Sequence, residues 1–163
     1  MNRDRCRAIF TTLALCAGMT LSACAGTPGP GGDVIERISY RPEPGPFCGR
    51  CETTQFTVRA DGEVRIETGY WAGSYRDWRR QRTVKRVTAA QFAEFKRRLA
   101  PYKLPHDVMQ GEVGCRDFIS DNDGAMVEWS DGAVRVTRVF DFGCLDDRTM
   151  NEAVRGAPAA LGL

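Results

Sequence analysis

Histidine is almost absent from this chain of 163 residues, with His106 as its single occurrence. A histidine cluster for a metal ion is therefore excluded, and a Ser-His-Asp triad would have to be built on this one residue. His106 follows Leu104-Pro105, so we predict a surface loop residue without a catalytic role. Long apolar runs are also lacking: the uncharged segment 8–21 is shorter than the about 20 residues that a permanent transmembrane helix needs.

The N-terminal region nevertheless has the pattern of an exported protein. Three arginines lie within the first seven residues, and the apolar segment 8–21 ends in small residues. The stretch Leu21-Ser22-Ala23-Cys24 resembles the lipobox of bacterial lipoproteins. This resemblance implies cleavage before Cys24, a diacylglyceryl group on its sulfur and a stable membrane anchor. The alternative is an ordinary signal peptide that is cut elsewhere, with Cys24 incidental.

The residues after Cys24 predict where the protein lies and how it is tethered. Ala25 stands where an aspartate favours the inner membrane in well-studied envelopes, so we expect the periplasmic side of the outer membrane. We interpret residues 1–23 as the signal peptide, 24–32 as the lipidated N-terminus with a flexible Gly/Pro tether, and 33–163 as one domain. Removing 1–23 leaves 20 basic and 20 acidic residues. This balance gives no reason to expect a nucleic-acid partner.

Four cysteines remain downstream of the lipidation site: Cys48, Cys51, Cys115 and Cys144. An even number in an exported domain indicates two disulfides, but three pairings are possible and the sequence alone does not choose between them. A bridge from Cys115 to Cys144 would join the open end of a predicted hairpin. It would close a 30-residue loop and contribute roughly 3–4 kcal/mol in the chain-entropy model.

The pair Cys48-Gly49-Arg50-Cys51 has three interpretations. Thiol–disulfide exchange needs one thiol with a depressed pKa, which a helix N-terminus after the motif usually provides. Residues 52–58 are strand-like instead, so a structural disulfide is the favoured interpretation and a redox-active pair the alternative. A zinc site made from all four thiolates is the third, although the second pair lacks the short spacing of a zinc ribbon.

Alternating polarity predicts a first strand and a hairpin in the N-terminal half of the domain. The strand covers 34–41 and ends at the prolines of segment 42–46. The hairpin covers 55–68, and its three-residue loop Ala60-Asp61-Gly62 places Gly62 in a left-handed conformation. The cross-strand pairs in this register are Val58 with Val64, Phe56 with Ile66, and Arg59 with Glu63.

A short strand at 82–87 and one main helix at about 89–100 are expected next. Thr88 and Gln91 form a capping box, Phe92, Phe95 and Leu99 share one face, and Pro101 ends the helix. A second hairpin is predicted at 125–140, with Asp131-Gly132 as a two-residue turn. Its predicted pairs are Val127 with Val136, Trp129 with Val134, Glu128 with Arg135, and Cys144 with Ile119.

A short C-terminal helix completes the predicted elements. Asp146 or Asp147 would cap it, Met150 and Val154 would be buried, and segment 156–158 would end it. Together the elements predict an α+β fold. The antiparallel sheet has about five or six strands built from two hairpins, with the helices on one face.

The cysteine pair and the elements after it carry a family resemblance. The run Phe47-Cys48-Gly49-Arg50-Cys51 leads into a strand that turns at 60–62, and the helix Thr88–Leu99 follows. Over 34–140 this resembles a family of small exported bacterial domains of unknown function, which carry a paired-cysteine motif before a β-hairpin. Glu52 and Thr54 stand where the family typically has proline and tyrosine. The resemblance implies an exported α+β domain and no activity.

An acidic cluster before the second hairpin suggests calcium at first sight. Its members are Asp117, Asp121, Asn122, Asp123 and Gly124. Ile119 and Ser130 occupy the first and twelfth ligand positions of an EF-hand, so that pattern fails and we predict a turn.

The best candidate binding surface is an aromatic and basic segment at 70–86. Its principal candidates are Trp71, Tyr75, Arg76, Trp78, Arg79, Arg80 and Arg82, with Tyr70, Lys85 and Arg86 beside them. Aromatic faces and guanidinium groups suit an anionic polymer, a glycan or an envelope protein, and membrane headgroups lie within reach. The alternative is a solvated hairpin arm whose aromatics turn inward.

These observations predict a lipid-anchored, non-enzymatic binding or scaffolding module, with no cofactor, no metal and no catalytic residue. The alternative function is a thiol–disulfide or redox-responsive protein that uses Cys48 and Cys51. A hydrolase is a third class, which no pair of residues in the sequence supports.

Overall fold

A computed structural model describes residues 35–45, 48, 51–71, 80–109, 114–132 and 134–163, with the backbone alone for Tyr70 and Trp71. All of them belong to the compact unit Asp33–Leu163. The elements in chain order are β1 (Arg37–Glu43), β2 (Cys51–Arg59), β3 (Glu63–Trp71), β4 (Gln81–Arg86), α1 (Ala89–Leu99), β5 (Gly124–Ser130), β6 (Arg135–Asp141) and α2 (Arg148–Gly156). The residues interpreted as signal peptide, lipidated Cys24 and tether, 1–32, lie outside the described residues.

The six strands form one antiparallel sheet in the order β4-β3-β2-β1-β5-β6. The two hairpins, β2–β3 and β5–β6, flank β1, which pairs with both β2 and β5. Each of α1 and α2 continues into a short 3-10 turn, at Ala100–Tyr102 and Ala157–Leu161. The predicted α+β class with five or six strands from two hairpins is confirmed.

The predicted register of the first hairpin is also confirmed. Val58 lies opposite Val64, and Phe56 lies opposite Ile66. Gly62 has a φ of 84°, and a Cβ at this position would lie 2.5 Å from the carbonyl oxygen of Val87. Glycine is therefore required here for two reasons: the backbone is left-handed, and the backbone of Val87 lies too close for a side chain.

The prediction that the prolines end the first strand at position 41 is wrong, because Pro42 lies within β1. The strand pairs with β2 only from Arg37 to Tyr40, whereas its pairing with β5 continues to Glu43. Proline has no N–H to donate to a ladder. Since β2 no longer pairs with β1 at Pro42, the missing donor removes no ladder bond on that side.

The predicted register of the second hairpin is wrong by two residues. The loop spans 131–134 and is closed by the Asp131 N–H, which donates to the Val134 carbonyl at 3.1 Å. The observed pairs are Ser130 with Arg135, Trp129 with Val136, Val127 with Arg138, and Ala125 with Phe140. Val127–Val136, Trp129–Val134 and Glu128–Arg135 are therefore not opposite each other, although the side chains of Glu128 and Arg135 still form an ion pair at 3.5 Å. Cys144 lies opposite Phe118 instead of Ile119.

A two-residue slip explains why polarity could not reveal this error. A one-residue slip exchanges the two faces of a strand, but a two-residue slip leaves every side chain on the same face. Both registers bury Trp129 and Val136, which are each 4% exposed. Val134 distinguishes them: the observed loop leaves this residue 56% exposed.

Helix α1 begins and packs as predicted. The Gln91 N–H donates to the Thr88 hydroxyl at 3.2 Å, and the Thr88 N–H donates to the Gln91 side chain at 2.9 Å. Phe92, Phe95 and Leu99 are buried, and the Phe95 ring lies 5.7 Å from the Phe56 ring. The capping box fixes the start of the helix, and its aromatic face covers the first hairpin.

Helix α2 buries Val154 as predicted, and Met150 packs against the core, but the predicted carboxylate cap is wrong. Asp147 occupies the N-cap position without a side-chain capping bond. Asp146 instead accepts a hydrogen bond from the Arg116 N–H at 2.9 Å. The carboxylate of Asp146 therefore stabilises the backbone next to Cys115 and does not cap the start of the helix.

The sheet has two different edges. At the β6 edge, the Val108 N–H donates to the Thr137 carbonyl and its carbonyl accepts from the Val139 N–H, both at 2.9 Å. At the opposite edge, β4 pairs only with β3 among the described residues. One edge is therefore covered by a short bridge, while β4 presents its outer backbone groups to its surroundings.

Candidate functional site

Strand β4 extends the sheet beyond the hydrophobic core. All six of its side chains, Gln81–Arg86, are exposed. Lys85 and Thr83 pair with Val64 and Ile66 of β3, which are both buried. The core therefore ends at β3, and both faces of β4 are accessible.

Four basic residues lie within or next to this strand, and we call them the basic edge: Arg80, Arg82, Lys85 and Arg86. Glu67 of β3 holds two of them. Arg82 donates from Nε to Glu67 Oε1 at 2.9 Å, and Arg80 donates from Nη1 to Oε2 at 3.4 Å. One carboxylate therefore orients two guanidinium groups at the same edge.

Glu67 is kept ionised by its neighbours. Partial burial acts to raise its pKa, but the net shift is downward. The Gln55 amide donates a hydrogen bond to Oε2 at 2.8 Å, and the charges of Arg82 and Arg80 act in the same direction. The carboxylate therefore remains a fixed acceptor for both arginines at neutral pH.

The other two members of the basic edge form no ion pair within the described part of the chain. Arg86 donates from Nη1 to the backbone carbonyl of Asp61 at 3.2 Å, and Lys85 projects from the opposite face of β4. Among the described residues, Glu67 is the one carboxylate within ion-pair distance of these four cations, so the edge has an excess of positive charge. Guanidinium forks of this kind bind carboxylate, sulfate or phosphate groups in a bidentate manner.

The structure describes part of the predicted binding segment, whose binding role stays a prediction. Arg80 and Arg82 lie together on the basic edge. Tyr75, Arg76, Trp78 and Arg79 lie outside the described residues, as does the side chain of Trp71. Sequence reasoning missed Glu67, although its alternation with Ile66 already placed it on the polar face of the hairpin.

The cysteines form two pairs, Cys48 with Cys51 and Cys115 with Cys144, at Cα–Cα distances of 5.5 and 5.8 Å. Each lies within the usual range for a disulfide. The bridge that we expected between Cys115 and Cys144 is confirmed as a pairing.

The first pair lies at the start of a strand. The Cys48 N–H donates to the Gly45 carbonyl at 3.0 Å in a turn, and Cys51 is the first residue of β2. The expected strand after the motif is confirmed, so no helix N-terminus follows Cys51 to depress a thiol pKa. Redox activity of this pair stays a prediction.

The remaining candidates lie on surface turns. His106 is exposed in a bend between Tyr102 and Val108. Asp121 adopts a φ of 64° in the turn before β5, as the turn prediction requires. Asp123 pairs with Arg155, with 2.9 Å between Oδ1 and Nη2. A further cluster of Cys115, Cys144 and Asp146 has side-chain ligand atoms within 4.8 Å of one another, but two of its members form the disulfide.

The chain matches no known protein-family model, and no curated protein shows significant similarity to it. The resemblances to bacterial lipoproteins and to the family with the paired-cysteine motif therefore stay predictions. Within the described residues, neither helix has the length and apolar character to cross a membrane. The geometry defines the class of protein as an α+β domain with two disulfides and an exposed basic edge strand.

Proposed function

We propose that this chain is a lipid-anchored lipoprotein of the bacterial cell envelope that acts as a non-enzymatic binding module. Its basic edge captures an anionic envelope polymer or glycan. One observation supports this most: β4 exposes all six of its side chains, and four basic groups crowd into 80–86. Exposed cations at this density on one strand are suited to binding a polyanion.

The arrangement on β3 and β4 favours recognition over general solubility. Edge strands often carry lysines that prevent aggregation. For that purpose the charges need not be held in a fixed orientation. Here Glu67 contacts both Arg80 and Arg82. Held guanidinium groups lose less conformational entropy when an anion binds, so the ion pairs prepare the edge for a ligand.

The membrane anchor is tested separately from the binding surface. We expect that cells fed labelled palmitate incorporate the label into the wild-type protein, and that Cys24→Ser abolishes both the label and membrane sedimentation. Cys16→Ser is the matched control, because Cys16 lies within the predicted signal peptide. Label that persists in the Cys24→Ser protein would contradict the anchor.

The binding surface is tested by removing four charges at two places. One variant changes the basic edge to glutamine (R80Q, R82Q, K85Q and R86Q). The control changes four other exposed basic residues (K103Q, R116Q, R135Q and R148Q). Both proteins lose the same net charge, so only position distinguishes them.

Calorimetry would measure binding to a sulfated glycan, to polygalacturonate and to phosphatidylglycerol vesicles at two salt concentrations. We expect salt-sensitive binding that falls at least tenfold in the basic-edge variant and stays within about twofold of wild type in the control. Preference for vesicles over both soluble polymers would identify headgroups as the source of the anion. Equal losses in the two variants would show that only net charge matters and would overturn the proposal.

A further inference from the structure

A cavity of about 520 Å³, large enough for a small organic molecule, lies where β6 meets the start of α2. Its lining includes Met109, Phe118, Phe140, Met150, Arg138 and Asp147. The Cys115–Cys144 disulfide and Asp141 complete one side. The cavity is therefore mostly apolar, with one basic and two acidic side chains.

Arg138 is the unusual member of this lining. The second hairpin places it on the core face of the sheet, opposite the fully buried Val127. It is only 8% exposed. Arginine is rarely buried to this extent without an anionic partner, so its contacts decide whether the charge is compensated.

The described residues give Arg138 only neutral partners at hydrogen-bond distance. Its Nη1 donates to the Tyr102 carbonyl at 2.8 Å, and its Nη2 contacts the Met150 sulfur at 3.2 Å. The guanidinium carbon lies 4.9 Å from the centre of the Phe140 ring. The buried Nε has no hydrogen-bond partner at all.

An unpaired guanidinium in an apolar pocket is unfavourable. A buried charge has lost its hydration, and two neutral acceptors replace that hydration only in part. Burial lowers the pKa of Arg138, and the negative charge of Asp147 opposes this shift. Asp147 is thus close enough to act on Arg138, although it forms no ion pair with it.

The start of α2 borders the same cavity. Asp147 and Met150, from the N-cap and first turn of this nine-residue helix, both line the cavity. The N-terminus of a helix favours anions because its first N–H groups point outward. The guanidinium, which has neutral hydrogen-bond partners but no ion pair among the described residues, and the helix start therefore favour the same kind of ligand.

We propose that this cavity binds a small organic anion, a carboxylate attached to a short apolar body. The carboxylate would accept hydrogen bonds from the second N–H groups of Arg138 Nη1 and Nη2, which the contacts with Tyr102 and Met150 leave unused. The apolar body would contact the methionine and phenylalanine side chains. A monovalent carboxylate fits better than a phosphate dianion, because Asp147 and Asp141 repel each additional negative charge.

The alternative is that Arg138 serves the fold alone, by joining the turn Ala100–Tyr102 to β6. Benzoate as the probe and benzyl alcohol as its neutral counterpart separate the two roles. We would titrate both into the full chain and follow amide shifts by NMR. We expect saturable binding of benzoate at least tenfold tighter than that of benzyl alcohol. Equal affinity for both probes would overturn the proposal.

Two substitutions test the charges of the cavity. R138Q should weaken benzoate binding at least tenfold, whereas D147N should strengthen it roughly threefold to tenfold, because a repelling charge is removed. A structural arginine predicts no gain from D147N, and a weaker benzoate affinity in D147N would overturn the proposal. Should R138Q fail to fold, D147N and the comparison of the two probes in the wild-type chain still decide.

This inference is independent of the basic edge. The cavity lies beside β6 and the basic edge lies on β4, at opposite ends of the strand order. The quadruple basic-edge variant should therefore bind benzoate within about twofold of the wild-type affinity. A large loss in that variant would show that benzoate binds at the edge and would overturn the assignment to the cavity.

Discussion

The two disulfides are predicted to differ in their contribution to stability, because they close loops of different lengths. Counting both cysteines, the Cys115–Cys144 pair closes a loop of 30 residues and the Cys48–Cys51 pair closes a loop of 4, from sequence separations of 29 and 3. The chain-entropy model gives about 3.6 kcal/mol for the long loop and about 1.9 kcal/mol for the short one. Cys144 is also 5% exposed within the fold, so its replacement by serine additionally buries a hydroxyl group.

The comparison requires the paired variants C115S/C144S and C48S/C51S. Urea denaturation of the purified oxidised proteins, followed by far-UV circular dichroism, measures the free energy of unfolding for each. We expect C115S/C144S to lose about 3 to 4 kcal/mol and C48S/C51S to lose about 2 kcal/mol. An equal or larger loss in C48S/C51S would refute the reasoning. It would mean that the first pair stabilises the fold by native contacts and not by loop closure.

Three further predictions concern the helix start, the basic edge and a surface carboxylate. Thr88→Ala removes the capping box with Gln91 and should lower the free energy of unfolding by about 1 kcal/mol; an unchanged urea midpoint would contradict this. Glu67→Gln releases Arg80 and Arg82 from the carboxylate that holds them and should weaken binding of a sulfated glycan roughly threefold, because the guanidinium groups are no longer ordered before binding. Stronger binding would contradict this role of the ion pairs. Hydrogen bonds from Arg97 and Arg98 lower the pKa of Glu94 from 4.5 to about 2. Its contribution to stability is therefore complete above about pH 4.5 and is lost as the pH falls towards 2. A carboxyl titration by NMR with a midpoint near 4.5 would contradict that ion pair.

Local signals in the sequence were sufficient for much of the fold. The spacing of Val58, Val64 and Gly62 allowed only one loop length, because a two-residue loop would have mixed the two faces of the hairpin. The start of α1 followed in the same way from Thr88 and Gln91, whose side chains cap each other's backbone amides. In both cases the decisive contacts lie within a few residues along the chain.

The incorrect predictions concern features that depend on contacts between segments distant in the sequence. Alternation could not distinguish two registers of the second hairpin that differ by two residues. Pro42 could remain in β1 only because β2 ends its pairing with β1 at Tyr40, and no local pattern reports the length of a neighbouring strand. The carboxylate of Asp146 does not cap α2, because it accepts a hydrogen bond from the backbone N–H of Arg116, which is distant in the sequence.

The candidate sites also depend partly on local sequence and partly on tertiary contacts. The basic residues of β4 are visible as a run in the sequence, but their exposure on both faces depends on where α1 stops covering the sheet. Arg138 alternates with the solvent-facing residues of β6 and shares a face with Val136 and Phe140, but alternation does not tell whether a charged residue at such a position is covered or reaches solvent at the edge of the sheet. Its burial follows from the packing of Tyr102 and Met150 against β6, which only the tertiary structure reveals.

The most direct test of the proposed function is to map the polyanion on the protein by NMR. A sulfated oligosaccharide would be titrated into the isotopically labelled chain, with Val84 and Val134 as two exposed reporters, 63% and 56% accessible. The account predicts that shift changes concentrate on 80–86 and the paired residues of β3, with Val84 affected and Val134 unchanged. Changes that concentrate on β6 and α2, or that spread evenly over all exposed basic residues, would contradict it.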